Sequence, residues 1–126
     1  GLVAITAEPL TPTPGLAIVI GSIGALIMYF GTKMLENFGI DDVVGAIPVH
    51  MFAGIFGTLV VPISNGDTSF GTQFVGTISI CIFSFVLSYL VFAALKATVG
   101  LRISKAAEKQ GTDKSEIGVT AYSIRD

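Results

Sequence analysis

The sequence predicts an all-α, polytopic transmembrane helix bundle with about three full spans and a cytoplasmic tail. Three long stretches contain no Lys, Arg, Asp or Glu, namely residues 9–32, 43–66 and 68–95. Each is long enough to cross a bilayer core, which takes roughly 20 helical residues. Hydrophobic residues make up 52% of the chain and charged residues only 13%. The chain is therefore predicted to be an integral, multi-pass membrane protein.

The boundaries of the spans follow from charges, turn residues and prolines. The predicted transmembrane region is residues 1–99, with residues 1–7 as the end of a truncated helix and full spans at about 15–33, 43–63 and 71–97. Pro9, Pro12 and Pro14 prevent a helix from continuing out of residues 1–7. Residues 100–126 are predicted to be a separate tail.

Positive charges predict the orientation of the chain. Basic residues crowd the end of the last span: Lys96, Arg102, Lys105, Lys109 and Lys114. The positive-inside rule places such a segment in the cytoplasm. The loop at 33–42 is then cytoplasmic and the loop at Asp67 lies outside. A net charge of −2 argues against a nucleic-acid partner.

Small residues predict where the helices pack. Ala17, Gly21 and Ala25 recur every four residues on the first span. Such seams let neighbouring membrane helices approach closely. We therefore expect a helix-contact face along these three residues.

His50 is the only histidine of the chain and lies in the second uncharged stretch. An ionisable residue inside a membrane span is by default a functional hypothesis, because it is costly to place there. If the helix starts at Asp42, a rise of ~1.5 Å per residue puts His50 about 12 Å further along, near the midplane of a ~30 Å core.

The surroundings of His50 on a regular helix are predicted to be narrow. The residues that would share its face are all small: Ala46, Ala53, Gly54 and Gly57. Pro48 lacks an amide donor and is expected to leave a carbonyl one turn back without its usual partner. Small side chains around one imidazole, beside an irregular backbone, are compatible with a narrow pore.

The residues alone leave several roles open for His50. It could hydrogen-bond a neighbouring helix, line a permeation path, relay protons or ligate a haem shared between chains. No Cys or carboxylate lies at ligand spacing within a span, and no nucleophile–base pair is recognisable. We therefore expect no metal, no cofactor and no enzyme. The alternative to transport is a small helical membrane subunit that scaffolds a larger complex, with His50 structural or an interchain haem ligand.

Three ordered motifs carry a resemblance to a known family. Residues 41–50 (DDVVGAIPVH) and 54–59 (GIFGTL) closely resemble the tenth-helix motif of the Amt/Mep/Rh ammonium transporters. Residues 98–104 (TVGLRIS) and 111–116 (GTDKSE), with Tyr122, are similar to that family's cytoplasmic C-terminal segment. Residues 1–7 (GLVAITA) resemble the end of its eighth helix.

The resemblance implies roles for three residues. His50 would be the second of two pore histidines whose rings touch midway along a narrow apolar channel for ammonium or ammonia. Ala46 matches a pore-lining apolar position, and Asp42 matches a structural cap at the cytoplasmic start of the helix. Because the first histidine and seven helices are absent, we expect this chain to be the C-terminal third of a transporter.

The resemblance also implies partners and a location. The tail would pack under neighbouring subunits of a homotrimer and would be where a PII-class signalling protein docks. The protein would lie in the lipid of a plasma (inner) membrane. Two positions depart from the family pattern. Met51 stands where the family often has Gly, which predicts different packing just beyond His50. Ile117 stands where it often has His, which weakens the case for PII docking more than for transport.

Overall fold

The computed structural model describes residues 1–121, so Tyr122 and the last residues of the predicted tail lie outside the described part. The chain is helical and forms no strand in this range. In chain order the elements are α1 (Leu2–Ile5), α2 (Pro14–Asn37), a π-helical segment (Ile47–Phe52) that runs directly into α3 (Ala53–Ser64), α4 (Phe70–Thr98), α5 (Lys105–Gln110) and a second π-helical segment (Asp113–Ile117).

Within residues 1–121, three helices are long and apolar enough to cross a membrane. They are Pro14–Asn37, Ile47–Ser64 and Phe70–Thr98. The predicted all-α fold with three spans is thereby confirmed. The chain divides into two compact units, Gly1–Ser84 and Phe85–Asp126.

The ends of α2 are set by local hydrogen bonds. The Thr13 hydroxyl accepts a bond from the Leu16 amide at 3.3 Å, and Pro14 occupies the first helical position, where a missing donor costs nothing. At the other end, Gly39 has a positive φ of 68°. The chain therefore turns back, and the Ile40 amide bonds the Leu35 carbonyl at 3.0 Å.

The core of the first unit is built where helix backbones nearly touch. Ala4 of α1 is 2% exposed and lies against both α2 and α3. A Cβ added to Gly24 would lie 2.5 Å from the Ala4 Cβ, and one added to Gly57 would collide with the Ala4 carbonyl. Glycine at both crossings is therefore what lets three backbones meet around one alanine.

The contact face of α2 differs from the predicted seam. Its buried residues are Ile20, Gly24, Gly31 and Leu35. Gly21 does lie near the Gly1 carbonyl, but Ala25 is exposed, so the prediction was wrong at Ala25. The helix is turned so that the glycines, which alone leave room for another backbone, meet α1 and the π-helical segment.

The second unit includes the end of α4 and the tail helices. α4 ends at Thr98, and Gly100, two residues later, has a φ of 85° and an amide that bonds the Leu95 carbonyl at 3.0 Å. Ser104 caps α5 by accepting a bond from the Ala107 amide at 3.2 Å. Arg102 and Glu108 form an ion pair with two hydrogen bonds, which lowers the pKa of Glu108.

Candidate functional site around His50

The helix that carries His50 starts later than the sequence predicts. It begins at Ile47, four residues after the predicted start at 43, because residues 42–45 form a turn. Gly45 has a φ of 69°, which only glycine adopts readily, and its amide bonds the Asp42 carbonyl at 3.1 Å.

One carboxylate satisfies the first amides of this helix. Asp42 accepts a bond from the Ala46 amide through Oδ1 at 2.8 Å and from the Ile47 amide through Oδ2 at 2.7 Å. These amides have no partner within the helix, so a side-chain acceptor replaces water there. Both oxygens of Asp42 are thus engaged with backbone.

This turn changes the position of His50 along the span. The predicted 12 Å rise from Asp42 assumed continuous helix and was wrong for that reason. His50 lies three residues into the helix Ile47–Ser64, a rise of only about 4.5 Å from its start.

Pro48 affects the backbone at the very start of the helix. It is in the first turn of the helix, where its missing donor would have had no partner anyway. The residue one turn back, Val44, belongs to the preceding turn rather than to the helix, so no helical carbonyl is freed there. The carbonyl that Pro48 leaves without its usual partner is thus part of the turn and not of the helix.

The real irregularity is a π-helical hydrogen bond. The Ala53 amide bonds the Pro48 carbonyl, five residues back instead of four. One extra residue is therefore held in this turn. π-Bulges of this kind are rare and are frequent at functional sites.

The buried stripe of the helix reveals the effect of that extra residue. Pro48, Ala53, Gly57 and Val61 are all buried, and their spacing is five, then four, then four. In an unbroken α-helix the place of Pro48 in this stripe would belong to Val49. Each α-helical residue turns the chain by about 100°, so the insertion rotates the residues near His50 by up to that angle.

His50 is consequently on the exposed side of the helix, together with Ala46. The prediction that His50 shares a face with Ala53 and Gly57 was wrong, because those two pack against α1 and α2 while the imidazole turns away. The described residues offer His50 no hydrogen bond, and within residues 1–121 no three His, Cys, Asp or Glu side chains cluster to hold a metal. The predicted site residues Ala46 and His50 thus lie on one surface.

α2 holds the π-helical segment from the packed side. Gly31 is buried, and a Cβ added there would lie 2.6 Å from Cδ2 of Phe52 and 3.2 Å from Cβ of Pro48. Met51 is 50% exposed, so the packing just beyond His50 is made by Phe52 and Ala53. Neither the π-helical hydrogen bond nor the contact with Gly31 is visible in the sequence pattern.

Within residues 1–121, three helices long and apolar enough to span a membrane, one of which exposes a histidine near its start, define an integral membrane protein. The predicted resemblance to ammonium transporters is confirmed by comparison with known proteins. The chain belongs to the Ammonium Transporter Family, whose model matches residues 1–122.

Individual relatives agree with this assignment. A protein of Synechocystis sp. is 37% identical over 126 residues, covering 98% of this chain and 28% of its own length. Ammonium transporter Amt2 of Archaeoglobus fulgidus is 34% identical over 143 residues, covering 97% of this chain and 30% of its own. Ammonium transporter Amt1 of Methanocaldococcus jannaschii is 32% identical over 131 residues, covering 98% and 34%. The chain spans about a third of the length of these relatives.

Proposed function

We propose that this chain is the C-terminal part of an ammonium transporter or channel, which conducts ammonium or ammonia across a membrane through a His-lined apolar pore. The observation that carries the proposal is the placement of His50. The π-helical segment turns the imidazole and Ala46 onto one exposed surface, away from the stripe that packs on α1 and α2. Helices supplied by the remainder of the transporter would complete the pore on that surface.

The chemistry of the permeant explains the use of a histidine. A full charge at the bilayer centre costs at least ~3 kcal/mol, so ammonium benefits from shedding its proton before it crosses. The resulting ammonia is still polar and needs a hydrogen-bond partner. Neutral imidazole offers both a donor and an acceptor, and the methyl side chain of Ala46, one turn away, keeps the passage beside it open and apolar.

Asp42 is proposed as the structural cap at the cytoplasmic start of this helix. Its two oxygens accept the Ala46 and Ile47 amides, so neither is left to bind a permeating ion. By holding Ala46 in place, Asp42 would act on the pore wall through the backbone.

Family membership and the distribution of charge support proposals for the partners and the location. We propose a homotrimer in a plasma (inner) membrane, with the tail in the cytoplasm and no catalytic activity. Lys96 in the last turn of α4 supports a cytoplasmic end there. A PII-class protein is proposed to dock on the tail, where Ile117 is 77% exposed and would have to replace the histidine that the family often uses.

The test is His50→Ala in the complete gene product, reconstituted in proteoliposomes and first sized in detergent to check for a trimer. We expect normal insertion, lower ammonium flux and weaker discrimination against potassium. Met51→Ala is the matched control, because Met51 is adjacent, half exposed and in the same π-helical segment. Unchanged flux and unchanged selectivity in His50→Ala would refute a pore-lining role.

A further inference from the structure

The geometry points to Gly31 of α2 as a positioning residue for His50. We propose that the absence of a side chain at Gly31 lets the π-helical segment seat against α2 in the register that turns the imidazole outward. This inference rests on the proposed function, since it treats the orientation of His50 as what conduction needs.

Gly31 contacts both ends of the turn that carries His50. An added Cβ would lie 2.6 Å from Cδ2 and 3.1 Å from Cε2 of the Phe52 ring, and 3.2 Å from Cβ of Pro48. Pro48 lies two residues before His50 and Phe52 two residues after it. The residues on both sides of His50 therefore pack against Gly31. Pro48 is among the most completely buried side chains of the described residues.

The π-helical register depends on that seating. The Ala53 amide reaches the Pro48 carbonyl only while Pro48 occupies the packed stripe in place of Val49. A methyl group at Gly31 would have to displace the Phe52 ring by about 1 Å and Pro48 by a few tenths of an ångström to reach ordinary van der Waals contact. A backbone movement that relieves this crowding shifts the turn on which His50 stands, although Gly31 itself does not touch the imidazole.

Gly24 provides a matched comparison on the same helix. It is also buried, and a Cβ added there would lie 2.5 Å from Cβ of Ala4. The steric conflict is therefore as severe as at Gly31, but it involves α1 and leaves Pro48 and Phe52 untouched. A purely structural effect of crowding α2 should be alike in Gly24→Ala and Gly31→Ala.

The experiment is a double-mutant cycle in the complete transporter. Gly31→Ala and Gly24→Ala are each made with His50 intact and with His50→Ala, and ammonium flux is measured per inserted molecule. We expect Gly31→Ala to lower flux by about ten-fold, within the roughly hundred-fold that a 1 Å misplacement can cost in an enzyme. With His50→Ala present, Gly31→Ala should have no further effect, because residues that act through one another are not additive. Gly24→Ala should act equally in both backgrounds.

Equal losses from Gly31→Ala in both backgrounds would overturn the proposal, since Gly31 would then be a packing residue only. An unchanged flux in Gly31→Ala would overturn it as well. If His50→Ala alone has no effect, the proposed function fails, and that outcome is recognised from the single variant. Should Gly31→Ala not reach the membrane, Phe52→Leu removes the ring edge over Gly31 without adding a clash. Its flux loss must then vanish in the His50→Ala background for the proposal to stand.

Discussion

Replacing Asp42 by alanine should open the start of the helix that carries His50. The substitution removes both acceptors of the Ala46 and Ile47 amides, at 2.8 and 2.7 Å. Each bond contributes about 1 kcal/mol at a partly exposed helix terminus, and together they match the upper range of about 2 kcal/mol measured for loss of an N-cap.

Hydrogen exchange of the complete transporter in detergent measures this loss directly. Local opening sets the exchange rate of protected amides, and every 1.4 kcal/mol is tenfold. Asp42→Ala should therefore accelerate exchange at the Ala46 and Ile47 amides by about 30-fold. Asp42→Asn keeps one acceptor oxygen, and its acceleration should be only about five-fold.

Asp41→Ala is the control for this experiment. It removes the same charge one residue earlier, from a side chain that is exposed and makes no hydrogen bond within the described part of the chain. If Asp41→Ala and Asp42→Ala accelerate exchange equally, the effect comes from charge and the capping argument is refuted. No acceleration in Asp42→Ala would refute it too.

Two further predictions concern contacts of α1 and the loop after it. Gly57→Ala should lower the melting temperature of the complete protein, because the added Cβ collides with the Ala4 carbonyl and overpacking costs about 2 kcal/mol. Gly54→Ala should not lower it, because a Cβ there makes only an ordinary contact at 3.8 Å. Equal shifts in the two variants would contradict the close crossing of α1 and α3 at Gly57. The Glu8 carboxylate accepts bonds from the Asn65 amide at 2.8 Å and the Leu10 amide at 3.3 Å, which lower its pKa from 4.5. This contact should therefore stabilise the protein above the unfolded value of 4.5 and lose its effect as pH falls through the lower folded pKa. Between about pH 6 and pH 3.5 the melting temperature of the native protein should fall more than that of Asn65→Ala, and parallel declines would count against the contact.

Much of the fold was readable from composition, because the cost of placing charge in a bilayer makes uncharged stretches a direct record of the spans. The motif around His50 predicted the family because it matches a family pattern in residue type and in order over residues 41–50 and 54–59. Asp42 before the helix was also a legible signal, since a carboxylate there suits the orphan amides.

The register around His50 was not predictable, because nothing local distinguishes Pro48 from Val49 as the residue that packs. Both are apolar, and they precede His50 by two residues and by one residue. What decides between them is the contact of Pro48 and Phe52 with Gly31, which lies nearly twenty residues away in sequence. The exposure of Ala25 has a similar origin, since α2 turns to bring Gly24 onto Ala4. Helix periodicity predicts which residues share a face only while the number of residues per turn is constant.

The extra residue in the π-helical segment also determines which mutations would most change the orientation of His50 as related chains diverge. A substitution at an exposed position beside His50, such as Met51, alters one side chain and leaves the register of the helix as it was. Loss of Met51 alone would restore ordinary helical spacing between Pro48 and Ala53 and swing the imidazole by up to about 100°, with His50 and Ala46 both still present. The number of residues between Pro48 and Ala53 therefore matters for function. A deletion in this stretch is expected to be as damaging as replacement of the histidine.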